Sequence, residues 1–494
     1  MKQKEIIGVI LLFSLLRLIL TFMMGLMPQD AYYFYYSTHL SLSYFDHPPM
    51  IAYMLKFFTL LLGKSALTLH LADFIVTSFT LIIFYRFLQD FLQGEALRKA
   101  FLLIATTPLM TVLSINSTPD VPLLFFWALT LLMLHRAIKS NQLIHWIWGG
   151  ILVGLTFDSK YTGIFAWGGM FLFLLLSQKH RKTILSLRFF LFTLFFVITA
   201  LPVIIWNVDN HFISFKYQST QRAAGIDAFH FQPILFLGSF GSQLLLVLPV
   251  FYLFIFKAAY ELFRKWLVSY HLDEKELFAA SFALPIILFF TFISFFYWVK
   301  INWMMPAFLS AAILTVRYFK TWKAIYWQMA LSLLIHVLAI VEIGWMPFPV
   351  HSDDTWWGWK QLADRVTLIH QQHPNDFLFS DDSYKTAAVL NFYLPEKVYA
   401  GNIIEQDAYQ FALNDTALHA LSNQNAIYIT SSLNKHNRSL KNNVQSYLLK
   451  YFRKVEPMDS ILLKDRNGKT QRRFAVYHCQ HYMPPANSIQ NPVK

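Results

Sequence analysis

The sequence has 494 residues, of which 56% are hydrophobic and only 14% are charged, and its formal net charge is +13. Its mean hydropathy of +0.42 excludes an ordinary soluble domain and is typical of a protein with many membrane spans. In such a protein the excess of lysine and arginine is better explained by membrane topology than by nucleic-acid binding. The single cysteine, Cys479, excludes an intramolecular disulfide and a metal site built from several cysteines.

Apolar segments recur through the first two thirds of the chain. The first follows a basic N-terminus, and since no small-residue cleavage site comes after it, we expect a retained span rather than a signal peptide. Several segments are shorter than the roughly 20 residues that a full span prefers. We predict about eleven spans, near residues 6–26, 66–89, 100–117, 119–137, 144–157, 162–177, 188–206, 233–256, 278–297, 304–317 and 325–345.

The distribution of lysine and arginine predicts the orientation of these spans. If the N-terminus is cytoplasmic, the cytoplasmic segments contain about 18 of these residues and the short outer segments about 6, as the positive-inside rule requires. An odd number of spans then places the C-terminal region outside. We therefore expect an integral protein of the plasma (inner) membrane with an extracytoplasmic C-terminal domain.

Residues 27–49, MPQDAYYFYYSTHLSLSYFDHPP, separate the first two spans and are too polar to cross a bilayer. Tyrosine is abundant there, at Tyr33 among other positions, and tyrosine is enriched at membrane surfaces. We predict that residues 27–64 form an interfacial outer loop of a transmembrane domain over residues 1–345, with Asp30 directed into a membrane cavity. Asp30 could alternatively act only as a helix cap, and His47, beside two prolines, could be an ordinary turn residue.

The composition changes near residue 346. The segments DFLFSD, KVYAG, NAIYITS, SILLKD and RRFAVYH have the pattern of short strands, and YKTAAVLNFYL and VQSYLLKYF that of intervening helices. This alternation predicts an α/β domain over residues 346–494, entered through the amphipathic helix HSDDTWWGWKQLADRVTLIHQQHP. The expected fold class is a polytopic α-helical membrane protein with about 11–13 spans and this C-terminal α/β domain.

Few charged residues lie in the predicted outer segments, so those present are informative. Asp120 precedes a span, Lys160 lies at a break between spans, and Lys300 comes shortly before a later span. Acidic and basic groups gathered at one membrane face favour a site for an anionic head group. Each also has a simpler explanation, because Asp120 could cap the next helix and the two lysines could extend to the membrane interface.

Five stretches resemble, in order, the motifs of GT-C glycosyltransferases of families 39 and 83, which include protein O-mannosyltransferases and lipid A aminoarabinose transferases. The stretches are QDAYYFYYSTHLSLSYFDHPPM, STPDVPLLFFW, GLTFDSKYTGIF, LPVIIWNVDNHFISFKYQSTQR and WVKINWMMPAFLSA, over about residues 29–312. The resemblance implies a GT-C fold, a sugar donor carried on a polyprenyl phosphate, and an extracytoplasmic active site.

The resemblance also assigns roles by position. Asp30 matches the catalytic aspartate of the first loop, and Asp120 matches a second acidic residue of the site. His47 is assigned to the donor phosphate, although aminoarabinose transferases have a Glu-Lys pair where this chain has Asp-His. Lys160, Arg222 and Lys300 match basic positions near the lipid phosphate. We expect the other site-lining residues to be Asp46, Tyr33, Tyr161, Asn207 and Asn302.

The chemistry of sugar transfer is consistent with these roles. A sugar that leaves a lipid phosphate requires cations there, because negative charge grows on the phosphate as the bond breaks. Asp30 could act as general base on the acceptor hydroxyl, and direct attack would invert the anomeric centre. We therefore expect an inverting glycosyltransferase that moves a sugar from a polyprenyl-phosphate donor to a lipid, glycan or protein at the outer face.

Two other classes of function stay open, a transporter or flippase of a lipid-linked sugar and a membrane sensor. A transporter usually has its site near the bilayer midplane between two symmetric halves, whereas the charges here collect at one face. No cofactor is required, although Asp30, Asp46, His47 and Asp120 could hold a divalent metal. The expected partners are the sugar donor, the acceptor and the lipid bilayer, with no nucleic acid.

Overall fold

The computed structural model describes residues 2–221, 230–269, 272–434 and 443–485, and the chain forms two compact units. We call them the helical unit (Met1–Met23, His47–Met54 and His70–Gly344) and the sheet unit (Met24–Asp46, Leu55–Leu69 and Trp345–Lys494). Most of the first predicted outer loop therefore groups with the C-terminal region, whereas the sequence alone predicts one boundary at residue 345.

Long helices dominate the chain before the C-terminal region. In chain order they are α1 (Gln3–Met23), α2 (Pro28–Thr38), α3 (Met50–Leu62), α4 (Ala66–Gln89), α5 (Gly94–Ala105), α6 (Pro108–Ile115), α7 (Asp120–Ser140), α8 (Leu143–Ser159), α9 (Ile164–Leu176), α10 (Leu187–Asp209), α11 (Ile213–Lys216), α12 (Pro233–Val247), α13 (Pro249–Ser269), α14 (Glu274–Ile293), α15 (Met305–Thr315) and α16 (Lys323–Trp345).

The predicted spans correspond to helices of three kinds. In the described residues, six helices are long and apolar enough to cross a membrane, namely α1, α4, α7, α10, α14 and α16. Two helix pairs pass the same test together but are bent, α5 with α6 at 48° and α12 with α13 at 113°, so that each is a broken span or a re-entrant loop. The shorter apolar helices α8, α9 and α15 occupy the remaining predicted positions. The prediction of a polytopic helical membrane protein is confirmed.

Proline accounts for the two bends. Pro108 begins α6 and Pro249 begins α13, and proline removes a backbone donor and clashes with the preceding turn of a helix. Leu248, at the second bend, also has a positive φ of 72°. The segment 233–256, which the sequence predicts as one span, is therefore not a single straight helix.

Glycine allows α8 and α10 to pack closely. A Cβ atom on Gly150 would lie 2.2 Å from the backbone oxygen of Phe192, and one on Gly154 would lie 2.4 Å from the Cβ of Thr199. Small residues permit such an approach between membrane helices. The contact fixes the position of α8, after which the chain breaks at Lys160.

The sheet unit contains a mixed five-stranded sheet of order β2–β1–β3–β5–β4. The strand β1 is parallel to both β2 and β3, while β5 is antiparallel to both β3 and β4. The predicted α/β domain is thus confirmed, although β4 begins well before the predicted SILLKD segment. The strands are β1 (Phe377–Phe379), β2 (Val398–Tyr399), β3 (Ala426–Ser431), β4 (Phe452–Lys464) and β5 (Thr470–Tyr482), and the helices are α17 (Trp359–Gln372), α18 (Lys385–Tyr393), α19 (Gln410–Asn414) and α20 (Val444–Leu448).

Helix α2 belongs to the sheet unit because its aromatic side chains pack on residues from the C-terminal region. The ring of Tyr32 stacks on Tyr384 at a centroid distance of 4.3 Å, and Phe34 meets Phe392 edge-on at 5.0 Å. The backbone N–H of Gln410 donates to the Tyr32 hydroxyl at 3.2 Å. Aromatic pairs of this geometry add to the free energy gained from burial alone, so α2 is held by tertiary contacts.

Candidate active site

A buried polar cluster in the helical unit joins Asp120, Lys160 and Asn302. Lys160 Nζ donates to Asp120 Oδ1 at 2.7 Å, and Asn302 Nδ2 donates to Asp120 Oδ2 at 2.5 Å. Asp120 is 1% exposed and Lys160 is 7% exposed. Burial on this scale requires a partner for each charge, and the ion pair supplies it. The structure thus brings together three residues that the sequence places at the site.

The ends of three helical elements position this cluster. Asp120 is the first residue of α7, where the preceding Pro119 starts the helix. Lys160 has extended backbone angles, φ −160° and ψ 141°, between α8 and the short 3₁₀ turn Tyr161–Gly163. Asn302 lies in the loop before α15. Both carboxylate oxygens of Asp120 contact side chains, which is not the bonding of a helix cap, and the buried Lys160 does not extend to the interface.

A cavity of about 360 Å³ opens beside the cluster. His47 and Lys160 contribute basic groups to its wall. Most of the remaining wall is aromatic or aliphatic and comes from distant parts of the helical unit. These lining residues are Tyr161, Thr162, Ile164, Phe165, Gln218, Ser219, Phe289, Phe290, Ile293, Tyr297 and Trp303. The cavity therefore combines cationic groups with a largely apolar surface.

Asn207 and Tyr161 form a second polar group of the helical unit. The Asn207 amide donates to the Tyr161 hydroxyl at 3.5 Å, and that hydroxyl also bonds Ser214 at 2.6 Å. The side-chain carbonyls of Asn207 and Asn302 are buried and have no hydrogen-bond partner within the described part of the chain. Such carbonyls can accept hydrogen bonds from hydroxyl groups.

The structure does not assign the other two predicted basic residues, Lys300 and Arg222, to the cavity. Lys300 is exposed, in the loop two residues before Asn302, and it is absent from the cavity wall described above. Arg222 lies outside the described residues. Their assignment to the donor phosphate stays a prediction.

Asp46 is bonded to tyrosine hydroxyls within the sheet unit. Tyr36 donates a hydrogen bond to Asp46 Oδ1, and the Tyr32 hydroxyl lies 3.3 Å from the same oxygen. Tyr33 packs against both tyrosine rings. Burial, followed by the charge of Asp46, raises the pKa of Tyr36 well above its usual value. The Tyr36 hydroxyl therefore remains protonated as a donor, which keeps Asp46 in place.

Asp30 lies in the first turn of α2 and is fully buried. Its Oδ2 accepts the backbone N–H of the N-cap residue Met27 at 2.8 Å, which is the bond that an acidic residue at the third helical position makes in a capping box. Its charge also reaches Tyr393, whose pKa is raised to about 12 by burial and then by Asp30. The capping contact is present, but one carboxylate has room for several hydrogen bonds, so capping does not exclude a chemical role.

Sequence reasoning missed the aromatic wall of the cavity and the tyrosine partners of Asp46. Trp303 is adjacent to the predicted site residue Asn302, and this adjacency could have identified it as a lining residue. The i, i+4 spacing of Tyr32 and Tyr36 places these two residues on one face of α2. Phe289 and Phe290 lie in an apolar span whose composition resembles that of every other span. Nothing local distinguishes them as lining residues.

Comparison with known proteins gives a family match over part of the chain and a fold for nearly all of it. The family of dolichyl-phosphate-mannose-protein mannosyltransferases matches residues 46–206. The lipid A galacturonosyltransferase RgtD of Rhizobium johnstonii is 24% identical over 289 residues, which are 58% of this chain and 59% of that protein. The alignment thus spans less than two thirds of this relative.

The solved structure of ArnT from Cupriavidus metallidurans aligns with 95% of this chain and 98% of its own, at a TM-score of 0.60 and 14% identity. The chain has the GT-C fold. The same ArnT bound to undecaprenyl phosphate aligns at a TM-score of 0.58 and 13% identity. The oligosaccharyltransferase of Archaeoglobus fulgidus aligns over 98% of this chain and 75% of its own, at a TM-score of 0.53 and 11% identity.

These matches confirm the predicted resemblance to GT-C membrane glycosyltransferases and the predicted fold class. The fold matches cover nearly the whole chain, so both the membrane helices and the C-terminal α/β region of this GT-C protein have counterparts in ArnT. The chain is an integral membrane protein.

Proposed function

We propose that the chain is an inverting glycosyltransferase that moves a sugar from a polyprenyl-phosphate donor to an acceptor hydroxyl or phosphate at the outer membrane face. This proposal rests on one observation: Lys160 and His47 line the same cavity as a set of aromatic side chains. A cation at one part of the wall suits a phosphate, while the apolar remainder suits the first isoprene units of the carrier.

Lys160 is suited to binding phosphate because Asp120 holds it in place. The ammonium group has three donors, and its bond to Asp120 uses one of them. A buried lysine requires a partner of opposite charge, and the carboxylate of Asp120 is that partner. His47 is the second basic group of the same wall, which supports its assignment to the donor phosphate.

The known relatives support a lipid-linked donor. One structure that shares the fold is that of ArnT bound to undecaprenyl phosphate, and the sequence relative RgtD is named for transfer to lipid A. By analogy we propose a polyprenyl-phosphate sugar as donor and a lipid or glycan as the first acceptor to test. A protein acceptor is a less direct extension, through the mannosyltransferase family that matches residues 46–206.

We propose Asp30 as general base for a hydroxyl acceptor. Both oxygens of Asp120 already accept bonds from side chains, one of them charged, and Asp46 accepts a tyrosine O–H. The choice of Asp30 rests on its match to the catalytic aspartate of the first loop in GT-C glycosyltransferases, whereas Asp120 and Asp46 hold these structural bonds. In the reaction the acceptor oxygen attacks the anomeric carbon, its proton passes to Asp30, and the carbon–oxygen bond to the lipid phosphate breaks. The products are the inverted glycoside and the free polyprenyl phosphate.

The test is direct transfer by the purified full-length chain in lipid vesicles, supplied with polyprenyl-phosphate sugars and lipid A-type acceptors. The expected result is release of polyprenyl phosphate matched by a glycosylated product of opposite anomeric configuration. Movement of intact donor across the vesicle membrane without cleavage would favour the transporter alternative instead. Mass spectrometry of glycolipids and glycoproteins from cells with and without the chain would identify the acceptor.

A further inference from the structure

We propose a binding site for a divalent transition-metal ion of the zinc class in the sheet unit, formed by His373, Asp376 and His478. All three residues belong to the C-terminal region. The proposal is independent of the transferase function, because none of these residues has a role in that chemistry. It concerns a structural ion that ties together three parts of the domain.

The geometry of the three side chains fits an ion. Asp376 Oδ2 lies 2.9 Å from His478 Nε2 and 3.5 Å from His373 Nδ1. One ligand atom from each residue lies within 4.8 Å of the others. Tetrahedral zinc with bonds of roughly 2.0–2.2 Å separates its ligand atoms by about 3.3–3.6 Å. Small side-chain rotations bring the three atoms to that spacing.

Asp376 and His478 lie at the distance of an ion pair, which a protonated imidazole would form, but not with the geometry of a hydrogen bond. Their facing atoms, Asp376 Oδ2 and His478 Nε2, are both buried, yet neither has a hydrogen-bond partner in the described part of the chain. Asp376 as a whole is 7% exposed. A buried carboxylate oxygen without a donor is costly, and a metal ion would satisfy both atoms together.

Local structure brings the ligands together from two distant parts of the sequence. His373 is the C-cap of α17, and its backbone carbonyl accepts the N–H of Asp376 at 3.1 Å. Asp376 directly precedes β1, while His478 lies on β5 opposite Ile427 of β3. An ion at this point would link the end of one helix, the start of one strand and a second strand. It would act as a cross-link between β1 and β5, which β3 separates in the sheet and which also meet through the rings of Phe377 and Tyr482.

Neighbouring groups orient two of the ligands. The side chain of His370 lies with Nε2 3.0 Å from the backbone carbonyl of Asp376, which holds the segment that carries the aspartate. The Gln480 side-chain amide lies 3.3 Å from His478 Nδ1 and the same distance from Glu456. A partner on the second ring nitrogen is typical of metal-binding histidines. Metal binding through Nε2 leaves the proton on Nδ1, so the Gln480 amide would turn its oxygen toward that nitrogen.

The ligand set selects the class of ion. Two imidazoles with one carboxylate suit zinc and other late first-row ions, whereas magnesium and calcium prefer oxygen ligands throughout. The side chain of His373 is 30% exposed, which leaves access for a water molecule as fourth ligand. Cys479, although adjacent to His478, is buried in the apolar cluster on the other side of β5, and it is excluded as a ligand.

The experiment measures zinc and cobalt binding to the full-length chain in detergent, after removal of metal with a chelator, by competition with a chromophoric chelator. We expect one ion per chain and the visible absorption bands of tetrahedral cobalt. His478→Gln and Asp376→Asn should each weaken binding by at least about a hundredfold, since loss of even an outer partner costs about 10–100-fold. The matched control is His419→Gln, an exposed histidine of the same unit, which should bind as the wild type does.

Asp376→Asn keeps the size of the side chain. It therefore tests the site even if His478→Gln fails to fold. Zinc should also raise the apparent melting temperature of the wild type and leave that of Asp376→Asn unchanged. Equal zinc affinity in the wild type, His478→Gln and Asp376→Asn would overturn the proposal, and would direct attention to Asp30, Asp46 and His47. Absence of stoichiometric binding by the wild type would overturn it as well.

Discussion

Lys160 and Asp120 form a buried ion pair 2.7 Å long between the end of one membrane helix and the start of another. The pair joins a cationic cavity wall to a carboxylate that also holds Asn302. Removing one member of such a pair leaves an uncompensated buried charge. Substitutions at this point must therefore separate loss of function from loss of folding.

Lys160→Gln is the variant that makes this separation. Glutamine can still donate a hydrogen bond to Asp120 but leaves the buried carboxylate without a counter-charge, so thermal stability is measured beside binding. At matched folded concentrations we expect affinity for the lipid phosphate to fall. A hydrogen bond to a charged group contributes about 1.5–3 kcal/mol, which corresponds to about a tenfold to hundredfold loss. The measurement is the dissociation constant for polyprenyl phosphate of the purified variant. Lys182→Gln, at an exposed lysine, is the control, and equal affinities in the two variants would contradict the phosphate role.

Asp30→Asn distinguishes a general base from a helix cap. Asparagine can accept the N–H of Met27 as Asp30 does, with only the small loss of a negative charge in the first helical turn, but it cannot take a proton. We expect transfer to fall by about a hundredfold or more, with thermal stability and donor binding retained. Steady-state transfer at matched folded concentrations is the measurement. Wild-type turnover would leave only the capping role and move the search to Asp120 or Asp46.

Tyr36→Phe tests how α2 is anchored. The substitution removes the donor to Asp46, a bond to a charged group whose loss costs about 1.5–3 kcal/mol. Tyr35→Phe is the matched control, because the Tyr35 hydroxyl accepts a hydrogen bond from the neutral Asn414 amide at 3.1 Å, a bond that contributes about 0.5–1.5 kcal/mol. We expect the apparent melting temperature to fall further in Tyr36→Phe. The reverse order would show that the Asp46 contact adds little.

Asp381 should make the sheet unit less stable as the pH rises. Burial raises its pKa to about 6, whereas an unfolded aspartate has a pKa of about 3.9. Between these values the folded state binds more protons than the unfolded state, so stability is greatest below about pH 4 and declines until about pH 6. A shift of about 2 units corresponds to at most about 3 kcal/mol.

Asp381→Asn should therefore melt at a higher temperature than the wild type at pH 7.5, and the difference should shrink toward pH 4.5. Asparagine retains an oxygen for the bonds from Thr430 and Asn434. Hydrogen exchange in the full chain, measured for peptides from β1 and β3, reports the local stability around Asp381. Asp364→Asn, at an exposed position, should show no such pH-dependent gain, and a gain that is equal in both variants would refute this account.

The lysine and arginine distribution predicts that the N-terminus is cytoplasmic and that the C-terminal domain is extracytoplasmic. A reporter that is active only outside the cytoplasm, fused after residue 350, should be active, and one fused within 178–188 should not. Activity of a cytoplasm-specific reporter at residue 350 would reverse the topology and remove the outer-face assignment of the proposed site.

Much of the fold could be predicted because the signals are local. Hydropathy located each membrane helix, since about 20 apolar residues in a row have few alternatives to a span. Short apolar runs rich in aromatic and β-branched residues located the strands β1, β2 and β3. The bend at Pro249 had a visible cause, but its size of 113° depends on the helices packed around it. The lengths of the shorter helices α8, α9 and α15 likewise depend on tertiary packing.

The candidate site was predictable only in part. By residue type, outer position and family resemblance, the sequence alone identified Asp120, Lys160 and Asn302 as candidates. Their direct contact arises where the start of α7, the end of α8 and the loop before α15 meet in the tertiary structure. The aromatic cavity wall likewise brings together residues far apart in the chain. Asp46 bonds to tyrosines only 10 and 14 residues away, through a chain reversal that no local pattern predicts.

The sequence by itself determined which segments enter the membrane, where the α/β domain lies and which few polar residues interrupt the apolar runs, because these depend on hydropathy and backbone preference over short stretches. Only the tertiary structure decided that α2 packs with the C-terminal region, and that His478 meets Asp376. These contacts depend on shape and burial between segments far apart in the chain. Their free energy is realised only when the whole unit has folded.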